Sequence, residues 1–177
     1  MKKEELSALL LQNYTQFIQL INQLTDADFC YAPEDKWSAG QQLDHLVKSV
    51  SPVNRAMGLP KFIPKLLFGT ANRPSKSYEA LVEKYTRKLK EGGRATGRFV
   101  PKIVNATQKD DLIKQLSFLV QRLCHKTDKQ TEEALDTLIL PHPLLGKLTV
   151  REMLYFTAYH VEHHRQLILR GLENRGT

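Results

Sequence analysis

Two histidines, His160 and His164, stand four residues apart in the largely apolar segment 154–168. On an α-helix that spacing brings both imidazoles to one face, one turn apart, where they can reach a single metal ion. Three of the six histidines in the chain fall within five residues, His163 being the third. A helical projection at about 100° per residue separates them: His164 lies roughly 25° and His160 roughly 65° from the centre of the apolar stripe, His163 roughly 125° away. His160 and His164 are therefore the inward pair, and His163 is expected at the helix flank.

Burying two imidazoles is costly unless each finds a partner, and a shared cation satisfies both. A pair of hydrogen-bonded core histidines without metal is the bland alternative. The pattern is not that of a zinc peptidase, because Val161 stands where His-Glu-x-x-His needs glutamate and Glu162 projects roughly 160° from His164. A catalytic metal usually takes three protein ligands, so a third should come from another helix. His45, His125 and His142 are the candidates by type. His45 sits in mid-helix, the most rigid platform of the three. The stripe of Leu43, Leu46, Val47 and Val50, however, centres roughly 145° from His45, so local periodicity leaves it exposed unless it faces a polar cleft with Gln41, Gln42 and Ser49.

The elements that must position these residues are helical, and no useful alternating strand pattern appears. Leu6, Leu9, Leu10, Phe17, Leu20, Ile21 and Leu24 make the stripe of a first helix ending near Thr25. Ser38, with Gln41 three residues on, opens a second helix that should stop before Pro52. The stretch 58–74 holds Pro60, Pro64 and Pro74 and reads as a long connection with at most a short helical turn. Ser77 caps a third helix through Leu89, the stretch 93–108 is a second loop, and Asp110 or Asp111 starts a fourth helix. Pro141, Pro143 and Gly146 break the chain before Thr149 caps a last helix to about Arg170. Long amphipathic helices with substantial connections imply an all-α fold, a four-helix bundle of antiparallel type in which the third helix is the shortest member.

The chain has 177 residues, 41% hydrophobic and 25% charged, the composition of a globular protein, and is read as a single domain over 1–177. No apolar run suits a membrane span, and Leu9, Leu10 and Leu11 follow acidic residues and begin a helix, not a secretion signal. Cys30 and Cys124 are expected as free thiols in a reducing, cytoplasmic setting. The net charge of +7 draws on a basic cluster from Lys61 to Arg98. It lacks interleaved aromatics or a reading motif, so no nucleic-acid partner is expected.

The segments 29–38 running into Leu43-Asp44-His45-Leu46, and 142–152 running into His160-Val161-Glu162-His163-His164-Arg165-Gln166, together resemble the DinB-like superfamily, which includes bacillithiol-type S-transferases. The resemblance implies a four-helix bundle whose metal is held by one histidine of the second helix and two of the last, here His45, His160 and His164. It thereby implies an inward His45, against the local periodicity. The family motif usually carries an aliphatic residue where Gln42 stands; Gln166 matches a recurrent position and is a candidate for a hydrogen bond to a ligand. Three neutral imidazoles suit a divalent ion, zinc or nickel, with an open position for water or a thiol. The implied activity is a metal-dependent transferase activating a low-molecular-weight thiol, or a hydrolase activating water, on a small-molecule substrate. A non-catalytic metal-binding or stress-related bundle, acting through dimerisation or partners, is the competing expectation, and a homodimer is compatible with the resemblance. Asp44, Glu152, Tyr159 and His163 are the candidate general bases. Trp37 is expected as a packing anchor, and the basic 58–74 connection as a border of the cleft that helps admit an anionic substrate.

Overall fold

The computed structural model describes residues 1–32, 34, 36–173 and 175. Pro33 and Asp35, within the segment that carries the resemblance, lie outside the described residues. Four long helices form the bundle: α1 (Lys3–Gln23), α3 (Ala39–Ala56), α6 (Lys109–Asp128) and α8 (Val150–Glu173). Shorter helices α2 (Asp26–Cys30), α4 (Phe62–Phe68), α5 (Tyr78–Lys90) and α7 (Glu132–Thr137) lie in the connections. The third helix of the sequence reading, α5, packs on the outside of α8 and is not a bundle member.

Around the bundle the order is α1, α6, α3, α8, because α1 packs on α6 and α8 while α3 packs on the same two. The directions are mixed, which corrects the antiparallel expectation. Asn13 donates to the Ala158 carbonyl and Arg151 to that of Met1, so α1 and α8 run parallel. Asn54, near the end of α3, donates to the Leu119 carbonyl of α6, while Val104, just before α6, packs against Gly40 at the start of α3, so these two also run parallel. Two parallel neighbours joined in sequence need a crossover, and residues 57–108 supply it. That is why the connections are long.

Local chemistry sets the helix ends as the sequence implies. Ser38 and Gln41 form a reciprocal capping box at α3, and Ser77 Oγ accepts from Ala80 N at α5. Thr149 and Glu152 cap α8 in the same reciprocal way. Gly40 sits where α3 meets Phe29 and Val104; a Cβ there would lie 2.9 Å from the Phe29 ring. Helix α3 does not stop before Pro52 but runs on to Ala56. Past Pro52 the helix is held by burial of Val53 and by Asn54, which donates to the Leu119 carbonyl of α6.

A hairpin of β1 (Ile139–His142) and β2 (Gly146–Thr149) precedes α8, pairing Ile139 with Thr149 and His142 with Gly146. Four-residue strands, the first of them holding Pro141, are too short to show alternation, so the sequence pattern misses them. Gly146 has φ +78°, a turn conformation that glycine takes without a Cβ clash. Buried Arg151 ties α8 to α7 through Asp136, at 2.6 and 3.0 Å, and through Glu132. The apolar core runs the length of the bundle, with Leu6, Leu10, Phe17 and Ile21 meeting Leu43, Leu46, Leu116, Leu123, Leu154 and Val161.

Candidate metal centre

Helix α3 is buried on two sides. Its Leu43, Leu46, Val47 and Val50 face the apolar core, while Gln42 and His45 face α8, and both of these are only 4% exposed. A projection of α3 alone cannot show the second buried face, so the exposure it assigns to His45 is corrected here. On α8, one turn separates His160 and His164, which are 5% and 4% exposed.

The three rings meet at their Nε2 atoms: His45 to His160 is 3.2 Å and His160 to His164 is 2.9 Å. Ligand atoms from all three lie within 4.8 Å of one another. Ligands on one tetrahedral ion at about 2.0–2.1 Å stand about 3.3 Å apart, so the observed spacing fits a shared cation. The far sides of two rings fix their tautomers. His45 Nδ1 donates to the Phe99 carbonyl at 2.7 Å, and His164 Nδ1 donates to Gln42 Oε1. Both Nε2 atoms then present lone pairs to the centre, which is the arrangement that metal-binding imidazoles need. A neutral His160 brings one proton at most to this meeting point and cannot balance the lone pairs as a cation does. Burial holds all three imidazoles below the usual histidine range, and neighbouring imidazoles add to this at His160 and His164. All three are therefore unprotonated near neutral pH, the form in which an imidazole can bind a metal.

The other sequence candidates fall elsewhere. His125 is exposed on α6. His142 lies at the end of β1, its ring against Phe156 at 4.3 Å, outside the trio. His163 is half-buried at the flank beside Tyr85, as expected. Gln166 donates to Glu162 at 2.8 Å and to none of the three histidines. Asp44 pairs with Lys48, and Glu152 is taken up by Arg73 and the α8 cap. Trp37 packs on the trio, its ring 5.0 Å from that of His45 and 6.3 Å from that of His164. Cys30 and Cys124 are free.

Beside the trio a cavity of about 680 Å³ opens, with His45 and His160 in its wall. Its remaining lining is mainly apolar, with Leu89, Leu140, Leu144, Met153 and Phe156. The expected border, the basic 58–74 connection, contributes Phe68 alone; Arg94 and Arg98, from the loop after α5, stand there instead. Arg73 of that connection is spent on Glu152. Sequence reasoning missed Phe99, whose backbone carbonyl orients His45. A main-chain acceptor leaves no side-chain signature.

No helix among the described residues is long and apolar enough to cross a membrane. The fold compares with a solved structure, YfiT from Bacillus subtilis, described as a probable metal-dependent hydrolase with an unusual four-helix bundle topology. The TM-score is 0.65 at 19% identity, over 99% of this chain and 88% of that one. No curated protein matches the sequence. The sequence does match the DinB superfamily over residues 9–168, a span containing α3, most of α8 and all three converging histidines. By that match, together with the shared bundle, the chain belongs to the DinB superfamily.

Proposed function

We propose that this protein is a metal-dependent enzyme in which His45, His160 and His164 hold a divalent ion, zinc or nickel, facing the cavity. The observation that carries this reading is the convergence of three buried Nε2 atoms, two with their opposite ring nitrogens committed to acceptors. Such an ion supplies Lewis acidity, which makes thiolate or hydroxide accessible near neutral pH. Imidazole donors suit zinc and nickel better than magnesium or calcium, which prefer oxygen.

Between thiol and water, the walls favour a low-molecular-weight thiol as the activated group. None of the described residues lining the cavity carries a carboxylate to serve as general base. A thiol, with an ordinary pKa of about 8.5, needs only the ion to ionise, whereas water starts near 15.7. Tyr85 lines the cavity beside His160, and burial raises its pKa, so its hydroxyl stays protonated and can donate to a substrate. A hydrolase, the activity that the description of YfiT suggests for that protein, would here use His45, His160 and His164 with water in place of the thiol.

Metal analysis of the purified protein tests the site. One equivalent of zinc or nickel is expected, with loss of the metal in each of His45→Ala, His160→Ala and His164→Ala. A folded, metal-free wild-type protein that takes up no added ion would remove the reading. Incubating the loaded protein with a small thiol and an electrophile then separates the activities. Enzyme-dependent thiol consumption that is lost with His160→Ala marks a transferase; ester or amide cleavage without thiol marks a hydrolase. Neither, with one tightly held ion, marks a non-catalytic metal-binding bundle.

A further inference from the structure

The cavity is far larger than a small thiol needs, and its charge is one-sided. Its volume of about 680 Å³ falls in the range of pockets that enclose whole organic ligands. Arg94 and Arg98 line it, and no aspartate or glutamate does among the described residues. Neither guanidinium is paired with a carboxylate of the described residues, whereas Arg73, Arg151 and Arg165 each are. The Arg98 guanidinium lies 5.1 Å above the Phe99 ring, at the residue whose carbonyl orients His45, so this positive charge belongs to the metal side of the cavity. His142 adds no charge. Its Nδ1 accepts from the backbone amides of Leu144 and Leu145, both at 3.1 Å, which leaves it a neutral ring with its proton on Nε2.

We infer that the cavity binds an organic anion, its apolar body against Leu89, Leu140, Met153 and Phe156 and its carboxylate, sulfonate or phosphate held by Arg94 and Arg98. The inference deepens the enzymatic reading by naming the class of the second reactant, and it takes the metal-facing cavity as that enzyme's substrate site. The physical reason is a balance of two terms. Apolar walls reward burial of a hydrocarbon body, while two guanidiniums at the exposed rim attract a negative group and repel a cationic one. At an exposed rim each charge contact contributes modestly, and the two arginines acting together are expected to change affinity about tenfold.

Two dyes of nearly the same apolar shape test this: anilinonaphthalene sulfonate, an anion that ligates metals poorly, and uncharged phenylnaphthylamine. The full-length, metal-loaded protein should bind both saturably, read by fluorescence. Arg94→Gln with Arg98→Gln should weaken the sulfonate at least about tenfold and the neutral dye less than about twofold. The unchanged neutral dye shows that the cavity is intact. Arg94→Lys with Arg98→Lys should recover a large part of the sulfonate affinity. Absence of saturable sulfonate binding to the wild type overturns the inference, and so does equal weakening of the two dyes or indifference of both to the arginines. Sulfonate binding lost in His160→Ala but kept without the arginines also overturns it, because the ion then holds the anion, and leaves the metal reading standing. Arginine-dependent sulfonate binding in a protein shown to hold no metal keeps this inference and removes the other.

Discussion

Gln42 Oε1 accepts a hydrogen bond from His164 Nδ1, both side chains being buried between α3 and α8. An aliphatic residue, which the family pattern usually carries here, offers His164 nothing. The amide oxygen fixes the tautomer that turns the His164 Nε2 lone pair to the centre and raises its basicity. Replacing Gln42 with leucine should therefore weaken metal binding by about tenfold or more, without unfolding the bundle. Competition against a coloured chelator reads the affinity directly. Equal affinity in the two proteins would mean that packing alone orients His164.

The histidine pair on α8 was legible because a long amphipathic helix carries its own direction: Met153, Leu154, Val161 and Ile168 mark the core side, and His160 and His164 fall within it. His45 was not legible from α3 alone, because a second buried face appears only when α8 packs on it. The family resemblance supplied what local periodicity withheld. Gln42 and Trp37 were visible as residues but not as partners of specific imidazoles. The hairpin before α8 and the parallel pairing of α3 with α6 are set by contacts remote in sequence, and no window of local sequence carries them.

Glu152 anchors the start of α8 two turns before His160. The residue is fully buried, and its carboxylate takes two bonds from Arg73, at 2.6 and 2.8 Å, and one each from the Lys76 and Thr149 amides. Burial alone would raise its pKa, but Arg73 and the amides hold it below the ordinary carboxylate range. Glu152→Ala leaves two backbone donors and a guanidinium without their acceptor and should cost about 3 kcal/mol. Urea unfolding of the two proteins checks the size; a loss under about 0.5 kcal/mol would show that water replaces the carboxylate freely.

His142 gives the fold an acid-sensitive term. Burial, with Lys84 nearby, pushes its pKa down to about 4, and protonating Nδ1 would break two backbone bonds. The folded value lies below the unfolded one of about 6.5, so the unfolded chain binds the extra proton in between. Stability from this group is full above about pH 6.5 and is lost as pH falls toward about 4. The loss should reach about 2 kcal/mol at about pH 5. His142→Asn keeps an acceptor for the turn and removes the titration. Urea midpoints of metal-free wild type and variant, compared at neutral pH and near pH 5, should diverge toward acid. Parallel behaviour would place the acid response in other groups.

Trp37 is the sole tryptophan of the chain, and its ring lies 5.0 Å from that of His45 and 6.3 Å from that of His164. Its fluorescence therefore reports on the trio and on nothing comparable elsewhere in the molecule. An ion with a partly filled d shell, such as nickel or cobalt, quenches an excited indole at such range, whereas closed-shell zinc has no low-lying states to accept the energy. Titrating metal-free protein with nickel should quench the emission to a sharp end point near one equivalent. Zinc should bind with little quenching and should block the later effect of nickel, because both ions compete for the same three nitrogens. His160→Ala, which leaves both ring contacts of Trp37 in place, should abolish the end point. Quenching that persists in that variant would put the ion at a site other than the three-histidine centre.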